Sequence, residues 1–79
     1  MTKSEAENLV RQAQKYIGKQ LVFRHSTNGP AQGMIEFMGT NIEEDRGDYL
    51  PKSVIQLPNG KLIENDLQFD IDRFSEHYK

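Results

Sequence analysis

GMIEFMGTNIEEDRGDYLPKSVIQL, residues 33–57, decides the fold, because its middle third reads either as structure or as connection. Its first part alternates. Ile35 and Phe37 share one face, and Met34 and Met38 flank Glu36 on the other, so a strand over 33–40 with both faces covered is expected. Gly33 and Gly39 mark bends or bulges in that strand. Residues 54–57, VIQL, begin another apolar run, and the strand is placed at 53–57. Between them, NIEEDRGDYLPKS shows no clear period and reads as a long acidic loop over 41–52, well beyond the two to five residues usual in a hairpin. Leu50 is expected to anchor that loop on the core, with Pro51 setting the entry to the next strand.

Downstream, VIQL and KLIE (61–64) are joined by Pro58, Asn59 and Gly60. A two-residue turn at Asn59-Gly60 would make Pro58 a paired residue without an N–H to give. A three-residue loop avoids this, with Gly60 left-handed, Leu57 opposite Lys61 and Ile55 opposite Ile63. The tail supports two periods. Leu67, Phe69 and Ile71 alternate as in a strand, whereas Leu67, Ile71, Phe74 and Tyr78 lie on one helical face. Because a helix would expose Phe69, a short strand over 67–71 followed by a helical turn is the expectation.

Upstream, Ala6, Leu9, Val10, Ala13, Tyr16 and Ile17 fall on one face of a helix over about 4–17, with Ser4 and Glu7 as a capping box and Gly18 as the stop. The period then shortens to two. KQLVFRH predicts a strand over 19–25, with Leu21, Phe23 and His25 on one face and Gln20, Val22 and Arg24 on the other, and STNGP (26–30) predicts a turn. Leu21, Val22, Ile35, Phe37, Ile55, Leu57 and Ile63 are the expected core.

The chain of 79 residues has room for one domain, 1–79. It contains no cysteine, which excludes disulfides and thiolate metal sites. A polar start and the lack of a long apolar run predict no signal peptide and no membrane span, hence a cytoplasmic protein. The net charge of −2 is unevenly spread: residues 1–32 carry five basic and two acidic side chains, 33–72 three and nine, and 73–79 two and one. An acidic middle disfavours broad nucleic-acid binding, which depends on neutralising phosphates.

Tests for chemistry are largely negative. His25 and His77 are the only imidazoles, neither in a metal-ligand spacing, and His25 is expected to cap a strand end. Asp66, Asp70 and Asp72 lack the glycine and distal glutamate of a calcium loop and read as the solvent face of a strand. No phosphate loop, dinucleotide fingerprint or nucleophile elbow occurs. Neither an enzyme nor a cofactor is expected. The Arg46-Gly47-Asp48 tripeptide is within reach of chance and is not read as an adhesion motif. Glu43, Glu44, Asp45, Arg46, Asp48 and Tyr49 are the candidate partner-binding residues, since they combine four carboxylates with an amphipathic aromatic.

The order of helix, bent strands, tight hairpin and short last strand resembles small SH3-like barrels preceded by a helix, over roughly residues 18–74. The expected fold is therefore α+β: an N-terminal amphipathic helix packed on a small, curled antiparallel sheet of four or five strands, as an SH3-like barrel or roll. The expected function is a non-catalytic protein-binding module, accessory, inhibitory or regulatory, whose acidic loop meets a basic surface on a larger protein. The alternative is a nucleic-acid-binding domain using Lys19, Arg24 and Lys52. An exposed sheet edge would also permit a homo-oligomer.

Overall fold

The computed structural model describes residues 1–24 and 32–78, with the side chains of Phe23, Arg24 and Gln32 excepted. The expected turn at 26–30, the role given to His25 and the face of β1 given to Phe23 fall outside what is described. The protein is α+β: helix α1 (Lys3–Ala13) continues into a 3-10 turn (Gln14–Tyr16), followed by strands β1 (Gln20–Arg24), β2 (Gln32–Asp45), β3 (Asp48–Gln56) and β4 (Leu62–Asp66), and helix α2 (Leu67–His77). The strands form one antiparallel sheet in the order β1-β2-β3-β4. This sheet is not closed, so the expected SH3-like barrel is corrected to an open sheet with helices on one face.

α1 starts two residues before the expected box. Thr2 accepts from the Glu5 N–H at 3.1 Å, and Glu5 accepts from the Thr2 N–H at 2.9 Å. Thr2-x-x-Glu5 satisfies the same pattern as Ser4-x-x-Glu7 and adds about half a turn to the helix. Of its apolar stripe, Ala6, Ala13 and Tyr16 are buried while Ile17 is exposed.

The largest correction concerns residues 41–52, which are not a loop. β2 and β3 form a long hairpin whose turn is only Arg46-Gly47, with Asp45 opposite Asp48. Both turn residues have positive φ, 52° and 83°, the type I′ geometry that matches strand twist. The alternation is obscured by a bulge: the register shifts between Phe37 and Gly39, so the residues on the helix side of the sheet change from odd (Ile35, Phe37) to even (Thr40, Ile42, and the exposed Glu44). On β3 the phase is constant, and Pro51, Ser53 and Ile55 are all buried. Leu50 instead faces solvent and anchors nothing.

Pro51 is tolerated within a strand for a traceable reason. Counting from the turn, Ile42 and Pro51 form a non-hydrogen-bonded pair, so the Pro51 nitrogen points away from β2. On that side β4 pairing begins only at Lys52, while the Tyr49 N–H is taken by the Met1 carbonyl at 3.0 Å. The missing N–H thus falls in the gap between two partners.

The three-residue turn at Pro58, Asn59 and Gly60 forms as expected. Ile55 lies opposite Ile63, the Leu57 N–H donates to the Lys61 carbonyl at 2.8 Å, and Gly60 has φ 90°. Gly33 is required by sterics from this turn, since a Cβ there would stand 2.5 Å from two Pro58 side-chain carbons.

The tail is helical rather than a strand from 67. Asp66 caps α2 by accepting from the Phe69 N–H at 3.1 Å, and Leu67, Ile71 and Phe74 are fully or nearly buried. Phe69 is 56% exposed, and the Arg73 guanidinium lies 5.0 Å from its ring, a stacking that recovers part of that cost. Phe74 centres the core, edge-on to Phe37 at 5.2 Å and tilted against Tyr16 at 6.2 Å. Val22, expected in the core, is 53% exposed, and Leu57 and Ile63 are half-buried. Both helices cover the same face, so Met34 and Met38 on β2 are exposed and that strand is covered on one side only.

Candidate functional site

The predicted partner-binding residues sit together at the end of the β2–β3 hairpin. β1 pairs with β2 only as far as Glu36, and β4 with β3 only from Lys52, so beyond these points the hairpin continues as a two-stranded arm. Alternation sorts the arm's side chains. Glu43, Asp45, Asp48 and Leu50 face the open side of the sheet, and Glu44 and Tyr49 face the side of α1. Glu43, Glu44, Asp45, Arg46 and Asp48 are exposed, and Tyr49 is half-buried.

The start of the chain clasps this arm. The Met1 amino group forms an ion pair with Asp48, and the adjacent Tyr49 N–H bonds the Met1 carbonyl. The hydrogen bond from that amine, reinforced by its charge, holds the Asp48 carboxyl below its ordinary 3.8. Asp45 lies directly opposite Asp48, a like-charge cross-strand pair that costs stability by itself.

Lys19, Arg24 and Lys52 do not form one patch. Gln32, paired with Arg24, and Asn41, paired with Lys52, are nine residues apart along β2, about 30 Å at the usual rise. Lys52 also faces Asp66 across β3 and β4, and the Lys19 ammonium lies 5.5 Å from the Tyr78 ring.

One polar cluster escaped the sequence reading. Asp70, expected on a solvent face, is fully buried in α2, where it accepts from the equally buried Ser53 hydroxyl of β3. Arg73 Nε stands 2.6 Å from Asp70 Oδ1, close enough for an ion pair but not aligned as a hydrogen bond. The spacing Asp70-x-x-Arg73 on a helix was the available signal. This cluster ties α2 to the central strand. Among the described residues, no group of three or more metal-ligating side chains converges. No helix there is long and apolar enough to cross a membrane.

No protein-family model, curated protein or solved structure matches the chain.

Proposed function

We propose that this protein is a non-catalytic protein-binding module that presents the acidic tip of its β2–β3 arm, Glu43, Glu44, Asp45 and Asp48, to a basic surface on a larger protein. The observation that supports the reading is the arm itself. Four carboxylates ride on a hydrogen-bonded hairpin with a tight turn, so little ordering entropy remains to be lost on binding. Two of them, Asp45 and Asp48, oppose each other at a cost to the fold. Leu50 beside Glu43 adds an exposed apolar side chain to the same face, the mixed composition usual in contact surfaces.

The test is a double reversal, Glu43→Lys with Asp45→Lys, in protein tagged after Lys79 so that the Met1 amine stays on Asp48. A partner captured by wild type from the cells that express it is expected to be lost by the folded variant, and wild-type capture is expected to weaken as salt is raised. Unchanged capture by the folded variant overturns the reading.

A further inference from the structure

β1 is an edge strand, and its outward rungs can be assigned. The Phe37 N–H donates to the Lys19 carbonyl at 3.0 Å, which makes Gln20 and Glu36 a non-hydrogen-bonded pair. By alternation Gln20, Val22 and Arg24 turn their N–H and C=O groups away from β2. The first of these rungs is occupied by the chain itself: the Tyr78 phenol, just past α2, donates to the Gln20 carbonyl and accepts from the Gln20 N–H at 3.3 Å. The phenol thus makes both hydrogen bonds that a neighbouring strand would make. At the next rung, Val22, no described residue plays that part.

Beside Val22 the edge opens into a groove of about 500 Å³ lined by Leu21, Val22, Arg73, Glu76 and His77. One wall is therefore the unpaired strand edge and the other is the last turns of α2. Leu21 is nearly buried and offers an apolar floor. Arg73 is already engaged by Asp70, whereas the Glu76 carboxylate has no ion-pair partner among the described residues.

We propose that the groove between β1 and α2 takes an extended peptide segment as a fifth strand, hydrogen-bonded to Val22, with an apolar side chain on Leu21 and a neighbouring Lys or Arg at Glu76. An edge strand running beside a helix is a geometry that accepts peptides by strand addition: main-chain bonds supply affinity, and alternate side chains entering the groove supply selectivity. The surface is independent of the acidic arm, which belongs to β2 and β3.

The probe is an end-capped octapeptide alternating Lys and Val, compared with its Glu/Val counterpart and with a Lys/Val peptide N-methylated at alternate residues. Amide NMR of the full chain is expected to show shifts at Leu21, Val22 and His77, and hydrogen-exchange protection at the Val22 N–H, with Lys/Val alone. Val22→Pro removes an outward N–H while leaving the bonds to β2, and should weaken binding by about tenfold or more. Glu76→Lys, an exposed substitution that keeps the fold, should invert the preference between the Lys/Val and Glu/Val peptides whether or not Val22→Pro folds. Shifts confined to the open sheet face, equal binding of the N-methylated peptide, or Val22 protection that rises with protein concentration in the absence of peptide would overturn the proposal, the last by assigning the edge to a second copy.

Discussion

At the scale of single residues, Asp70 carries the most consequence for stability. A fully buried carboxylate persists only with partners, and here Ser53 and Arg73 supply them from two elements. Asp70→Ala leaves the Ser53 hydroxyl only its longer bond to the Asn65 carbonyl, 3.3 Å, and leaves Arg73 without its carboxylate beside the core, so a loss of about 3 kcal/mol is expected. Asp70→Asn keeps the Ser53 bond and should cost less. The shift in urea midpoint at constant slope measures both. Strand alternation puts Asp70 opposite Leu67, Phe69 and Ile71 and so toward solvent; the Arg73 spacing is legible on a helix, but the serine across the sheet becomes visible only once α2 lies over β3.

At the scale of elements, the β2–β3 hairpin and α2 show why pattern reading stopped where it did. The bulge after Phe37 inverts the phase of β2, so a strict period-two template fails at Thr40 although the strand continues to Asp45. In α2 both periods fit, and the exposure of Phe69 tips the reading only slightly toward a strand, whereas Arg73 stacking offsets part of that exposure in the helix. The turn gives a sharp check on the hairpin. Arg46 holds φ 52°, a left-handed conformation that Asn adopts more readily, so Arg46→Asn should raise stability by about 0.5 kcal/mol. Gly47→Ala, at φ 83° with open space around it, should cost about 1 kcal/mol through backbone strain alone. Thermal unfolding of the two variants distinguishes this turn from a flexible loop, in which neither change would register.

At the scale of the whole molecule, the first residues of the chain and the arm close on each other through carboxylates. Asp48 is held below 3.8 by the Met1 amine, and Glu5 below 4.5 chiefly by the Thr2 N–H. Both are depressed in the folded state, so their stabilisation is present above those ordinary values and is lost as pH falls through the lower folded ones. The difference in melting temperature between wild type and Asp48→Asn should accordingly be present near about pH 6 and shrink as pH falls below the ordinary carboxylate value of 3.8. A difference that persists in acid would mean that Asp48 acts through packing rather than charge.

The sequence by itself determined the elements whose signals are local: the first helix, the strand at β1, the alternation around Ile35 and Phe37, and the Pro58-Asn59-Gly60 turn with its register. It also set the grouping of Glu43, Glu44, Asp45, Arg46, Asp48 and Tyr49. Tertiary structure alone decided that these residues form a hydrogen-bonded arm, that the tail is a helix, that the sheet remains open and that Asp70 is buried. The physical reason is clearest for the tail and for the faces of α2. Each depends on which face of an element finds a neighbour, and burial of that face, worth about 1.5–3 kcal/mol per large apolar side chain, outweighs local propensities of a few tenths.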